Sequence, residues 1–193
     1  DALHVSYQSH PLVLTMSRNE NDLLLKTSAQ LMILVGVDGN ILKYKLSFES
    51  PSDEAFYGFG ERFNALDQRG TRLDNRVYGQ YTDQGKRTYT PIPFFVSSRG
   101  YGLWLKTDRQ AVFDMAAEIN NQWYLIGEAD GEQRALHLQL FFQQSLKDIV
   151  QNFVKETGMP KLPPDWIFGL WMSSNDWNCQ NEVLHQLKLA QEY

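Results

Sequence analysis

Residues 41–48 read "ILKYKLSF", and their alternation decides the fold. Leu42, Tyr44, Leu46 and Phe48 fall on one face of an extended chain while Lys43, Lys45 and Ser47 fall on the other, the period-two pattern of a half-buried β-strand. The run before it, "LMILVGV" at 31–37, is β-rich, and "DGN" at 38–40 is a tight-turn signal, so the two runs form a hairpin. "ALHLQLFF" at 135–142 repeats the pattern, with Leu136, Leu138, Leu140 and Phe142 inward and His137 and Gln139 outward. Further strands are expected around 12–17, 22–27, 94–98, 102–107, 111–115 and 122–127, separated by turn signals such as Arg99-Gly100 and Asp130-Gly131. So many short strands between polar turns predict a mainly β protein, an antiparallel β-sandwich spanning 1–143.

The pattern changes after residue 143. In "SLKDIVQNFVKETGMP", Ser145 caps a helix with Asp148 three residues on, Leu146, Ile149, Val150, Phe153 and Val154 form an apolar stripe, and Gly158 and Pro160 end it. The helix and the stiff "KLPP" connector make up 144–164. "DWIFGLWMS" is then an apolar run of strand length, and "NEVLHQLKLAQEY" places Val183, Leu184, Leu187 and Ala190 on one helical face. Strand then helix is half of a βαβ unit and cannot close a core, so 165–193 is expected to be the start of an α/β domain within a larger protein.

Composition narrows the function classes. The 193 residues, 42% hydrophobic and 21% charged, can bury a real core. The formal charge of -5, without a run of Lys or Arg, argues against nucleic acid or an anionic membrane as partner. No apolar run approaches the ~20 residues that span a bilayer. The single Cys179 can form neither an internal disulfide nor a cysteine-based metal site, which fits a cytoplasmic protein. The opening "DALHVSYQSH" shows no leader pattern. The four histidines lack ligand spacing, "GFG" and "GYG" lack the strand–GxGxxG–helix context, and no metal or cofactor is expected. Homo-oligomerisation is left open.

Between 61 and 93 the alternation lapses into a polar, glycine-containing stretch whose Phe63, Tyr78, Tyr81 and Tyr89 favour an ordered functional loop over a linker. Three segments, "FYGFGERFNALDQRG" at 56–70, "PIPFFVSSRGYGLWL" at 91–105 and "ETGMPKLPPDWIFGLWMS" at 156–173, resemble glycoside hydrolases of family 31, at their N-terminal galactose-mutarotase-like sandwich and its junction with the catalytic (β/α)8 barrel. The resemblance implies a retaining α-glycosidase: an Asp nucleophile and an Asp acid/base on later barrel strands, with no catalytic residue in this chain. It implies that α-glucosides are the first substrate class, with α-xylosides or glucosyl transfer as alternatives. It also implies that the loop at 71–90 walls the leaving-group side of the pocket, with Asp74, Tyr78, Tyr81 and Asp83 as candidate sugar contacts, and that the first barrel strand ends at Asp176 and Trp177 beside the ring. The loop departs from its relatives in having Val77 after Arg76, in "NRVYG", where an Arg-Asp pair is usual.

Each candidate has a structural alternative. Individually, the four loop residues are more often solvated than sugar-bound; as a group they fit the apolar faces and hydroxyl edges of a sugar. Glu61 in "GERF" is best read as structural, paired with Arg62 or a backbone amine, because a lone carboxylate lacks its catalytic partner. Arg99-Gly100 reads as a hairpin turn, and Trp166 and Trp171 as packing between sandwich and barrel. Two other classes compete: a sugar-binding sandwich without chemistry, and a mutarotase- or epimerase-like sandwich using His137.

Overall fold

A computed structural model describes residues 3–19, 22–28, 31–80, 82–129, 135–171 and 177–192. The chain divides into two compact units, Asp1–Gly158 and Met159–Tyr193. Among the described residues of the first, twelve strands form three antiparallel sheets. Strands β1 (His4–Ser9), β2 (Leu12–Ser17) and β3 (Leu23–Lys26) make one in that order. The second has the order β4-β5-β11-β10-β7, from β4 (Met32–Val35), β5 (Ile41–Glu49), β7 (Thr71–Asp74), β10 (Ala111–Met115) and β11 (Gln122–Glu128). The third has the order β12-β9-β8-β6, from β6 (Phe56–Gly58), β8 (Phe94–Ser97), β9 (Tyr101–Leu105) and β12 (Leu138–Phe142).

The second and third sheets face each other across an aromatic core. Trp123 of β11 stacks on Phe48 of β5, with ring centroids 4.2 Å apart, and meets Phe95 of β8 edge-on across the sandwich at 5.3 Å. Phe56, Phe59, Leu103, Leu105, Phe113 and Leu125 complete the interior, and Met16, Leu24 and Leu25 of the first sheet close its flank. The alternation of β5 holds at Tyr44, Leu46 and Phe48, but Leu42 is 47% exposed because β5 there pairs with the exposed edge strand β4. Gly39, at φ +78, makes the turn between them, and Asn40 Nδ2 donates to Asp38 Oδ2 at 2.6 Å. Gly100, at φ +90, likewise makes the β8–β9 turn.

Helix α1 (Leu146–Thr157) lies on the outer face of the third sheet. Ser145 accepts from the Asp148 backbone at 3.2 Å, and Gly158 closes the helix by donating to the Val154 carbonyl at 2.8 Å. Ile149 and Phe153 pack on Phe94, Val96 and Phe141, so β12 is covered on both faces. Val150, expected in the stripe, is 41% exposed: the contact surface is narrower than the apolar arc. Gly102 permits the close approach, since a Cβ there would lie 2.6 Å from Ile149 Cγ2.

The second unit departs from expectation. Where "DWIFGLWMS" predicts a strand, Asp165–Phe168 form a 3-10 helix, and 172–176 lie outside the described residues. A strand needs a neighbour for its backbone groups, and none of the described residues of this unit is in one. Trp166 and Trp171, 69% and 67% exposed, sit with ring centroids 6.1 Å apart. Helix α2 (Gln180–Glu192) forms where the sequence predicts one.

Candidate functional site

The irregular stretch is an ordered loop on a narrow neck. Gly58, Phe59 and Gly60 have consecutive positive φ values of 125°, 66° and 83°, reversing the chain as it leaves β6. A Cβ on Gly60 would lie 1.9 Å from the Thr90 carbonyl oxygen, so only glycine lets the two arms pass. The neck is closed by Phe59 N–H donating to Phe94 O at 2.8 Å and Glu61 N–H to Thr90 O at 3.3 Å. The Glu61 carboxylate is exposed and has neither of its expected partners, Arg62 or a backbone amine, among the described residues; the Thr90 hydroxyl lies 3.5 Å from it.

Arg62 turns inward instead. Nε donates to Phe59 O at 2.9 Å, one terminal nitrogen to Asp74 O at 2.7 Å and the other to Lys86 O. Burial pulls its guanidinium below the ordinary arginine value, opposed by the charges of Asp74 and Tyr78.

Above this fork lies a hollow of about 360 Å3 lined by Asp74, Tyr78, Asp83, Arg72, Lys86 and Arg87, among others. Asp74 ends β7; its Oδ1 accepts from the Arg76 backbone at 3.1 Å and its Oδ2 from the Tyr78 hydroxyl at 2.9 Å. Each carboxylate oxygen keeps a further acceptor direction, and the Tyr78 hydroxyl can still accept. The Arg87 guanidinium lies 5.9 Å from the centre of the Tyr78 ring. Tyr78 N–H donates to Thr88 O at 2.9 Å, tying the arms of the loop together. Asp83, an exposed residue, holds a left-handed turn at φ +53, its carbonyl accepting from Gln80 Nε2 at 3.2 Å. The hollow is at the small end of ligand pockets and offers what a sugar needs: carboxylate acceptors, a phenol and guanidinium donors.

Three of the candidate contacts, Asp74, Tyr78 and Asp83, thus line one hollow. Tyr81 and Asp176 lie outside the described residues, and Trp177 is half-buried in the second unit, just before α2. Among the described residues no group of three His, Cys, Asp or Glu side chains could hold a metal, and no helix is long and apolar enough to cross a membrane.

A second polar cluster, invisible in the sequence, occupies the opposite end of the second sheet. Asp74 pairs with Val112 at one end, whereas Ser50 bonds to Asn121 at the other. Glu54, only 2% exposed, accepts from Ser97 Oγ at 2.5 Å and Tyr101 OH at 2.8 Å on Oε1, and from Ser50 Oγ at 2.8 Å on Oε2. Trp123 Nε1 donates on to Tyr101 OH at 3.1 Å, and Arg69 donates to Ser50 Oγ at 2.8 Å and Glu54 O at 3.0 Å. Burial raises the Glu54 carboxyl above its ordinary 4.5 despite the three hydroxyl donors. This knot fastens β8, β9 and β11 to the 50–54 turn.

The sandwich, its closing helix and the neck-bound loop define a mutarotase-like domain. Residues 3–114 match the family model described as the glycosyl hydrolase 31 N-terminal galactose mutarotase-like domain, and the chain belongs to that family. It is 37% identical over 137 residues to an isomaltosyltransferase of Sporosarcina globispora, covering 70% of this chain and 12% of that protein. With a 1,3-alpha-isomaltosidase of Kribbella flavida it shares 36% identity over 132 residues, 65% of this chain and 18% of the relative. Among solved structures, the cycloalternan-forming enzyme of Listeria monocytogenes in complex with a pentasaccharide substrate superposes with a TM-score of 0.81 at 34% identity, over 98% of this chain and 18% of that one. The chain therefore spans less than a fifth of the length of these three proteins.

Proposed function

We propose that this chain is the N-terminal portion of a retaining α-glycosidase acting on α-linked glucosides, and that its loop at 71–90 forms the leaving-group wall of the substrate pocket. In this reading 165–193 begins the catalytic barrel, the nucleophile and acid/base Asp stand on later barrel strands, and the segment binds and orients rather than breaks bonds. The observation that carries it is the Asp74–Tyr78 pair at the hollow, a fixed acceptor beside an aromatic ring. Tyr81, Asp83, Asp176 and Trp177 are further sugar contacts of the whole protein in this reading. The likeness to an isomaltosyltransferase and a 1,3-alpha-isomaltosidase favours an isomaltose-type sugar over a xyloside, and keeps transfer to a second sugar beside hydrolysis. A cytoplasmic setting suits the exposed thiol of Cys179.

The test is kinetic, in the natural protein that carries this chain. Asp74→Asn and Tyr78→Phe should lower kcat/KM for isomaltose by about tenfold each, the worth of one charge-assisted hydrogen bond. The same variants should change turnover of 4-nitrophenyl α-glucoside, whose leaving group is no sugar, far less. Equal losses on both substrates would sink the assignment of the hollow to the leaving-group side.

A further inference from the structure

We infer that Arg62 is a positioning residue: it sets the pose of the Asp74–Tyr78 pair and, through that pair, the selectivity for the leaving-group sugar. The selectivity half rests on the reading of the hollow proposed above; the clamp itself does not.

The Arg62 fork joins three stretches of backbone far apart in sequence. Its nitrogens donate to the carbonyls of Phe59 in the neck, Asp74 at the end of β7 and Lys86 on the returning arm. None of these bonds goes to a carboxylate, so the side chain is used for its planar geometry rather than for ion pairing. The anchoring end is rigid, because the Phe59 ring is buried between Phe95, stacked at 5.0 Å, and Phe113 at 5.3 Å. The functional end is what the fork aims. Fixing the Asp74 carbonyl fixes the residue whose carboxylate accepts from Tyr78, and fixing the Lys86 carbonyl holds the turn in which Arg87 N–H donates to Gln84 O at 2.8 Å.

Beyond the fork, the two arms are joined by Phe63 N–H to Gly85 O at 3.0 Å, Tyr78 N–H to Thr88 O at 2.9 Å, the isolated bridge between Val77 and Thr88, and side-chain bonds of Gln80 to the Thr82 and Asp83 carbonyls and of Gln84 to the Gln80 carbonyl. Loss of the fork removes the bonds to the Asp74 and Lys86 carbonyls, the ones that tie the rim of the hollow to the neck. A lysine keeps the charge but carries a single ammonium on a flexible stem, and cannot span three carbonyls in one plane.

The test uses R62K and R62A in the natural protein that carries this chain. Amide exchange at residues 75–80 and 82–87 reads the clamp without reference to catalysis, and should quicken by about tenfold in both variants, as local opening becomes easier. KM for isomaltose should rise about tenfold in both, with no rescue by lysine, while kcat for 4-nitrophenyl α-glucoside stays within about twofold. Unchanged exchange would overturn the clamp. Faster exchange with equal losses on both substrates would leave Arg62 a structural residue and overturn the positioning role. If the wild-type protein turned over no α-glucoside, the reading of the hollow and the selectivity role would fall together, while exchange would still judge the clamp.

Discussion

Replacing Glu54 tests what holds the sandwich at the end away from the hollow. Three hydroxyls donate to its carboxylate, those of Ser50, Ser97 and Tyr101, and alanine removes both acceptor oxygens and all three bonds at once. A buried donor left without a partner costs about 1–3 kcal/mol. Tyr101 OH and Ser50 Oγ keep the bonds they accept, from Trp123 Nε1 and Arg69, while their own protons lose an acceptor, so each loss falls near the low end of that range. A total of about 3–4 kcal/mol for Glu54→Ala follows. For Glu54→Gln, which keeps one oxygen acceptor and the shape, about 1 kcal/mol is expected at low pH.

The pH dependence gives the sharper test. The folded carboxyl is raised above 4.5 by burial, so its contribution is fully present below that value and is lost as pH rises through the folded value. Glutamine carries no such proton. In urea denaturation of the whole chain, the stability gap between wild type and Glu54→Gln should therefore narrow from pH 4 towards pH 7, other carboxylates cancelling between the two proteins. A Glu54→Ala protein within about 0.5 kcal/mol of wild type, or a gap that widens with pH, would refute the reasoning.

Two further substitutions test the fold that carries the site. Gly60→Ala drives a methyl group into the Thr90 carbonyl and should open the neck, seen as faster proteolysis within 75–90 with little loss in the melting of the sandwich. Phe153→Ala removes the half-buried ring stacked 3.9 Å from Phe94 under α1 and should cost about 2–3 kcal/mol in urea denaturation, below the range for a fully buried phenylalanine.

Sequence and structure agree where one face of a strand meets the core. β2, β5, β10 and β11 are legible because an apolar residue returns every second position. The same rule is silent for β1, whose six residues are all exposed, and for β6 and β7, which are too short for alternation to register, β7 also lying inside the irregular stretch. The apolar run of the second unit carries a strand's composition without a strand's neighbour among the described residues, and begins as a 3-10 helix.

The candidate site was legible in part. Asp74, Tyr78 and Asp83 are candidates because the resemblance to family 31 puts the 71–90 loop at the pocket, and the structure brings the three to one hollow. Arg62 and Glu54 did not stand out as the organisers of their clusters. Arg62 bonds to carbonyls 12 and 24 residues away, and carbonyls carry no sequence signal. Glu54 meets hydroxyls on Ser97 and Tyr101, 43 and 47 residues on, a convergence that only the register of β8 and β9 creates. The "GFG" of the neck serves the close passage of Gly60 and Thr90.

The central claim is that the Asp74–Tyr78 hollow receives the leaving-group sugar. A crystal structure of the natural protein that carries this chain, with isomaltose bound, tests it most directly. The account predicts the reducing-end sugar against the Tyr78 ring, with a hydroxyl within hydrogen-bond distance of an Asp74 carboxylate oxygen. A reducing-end sugar that makes no contact with either residue would contradict it.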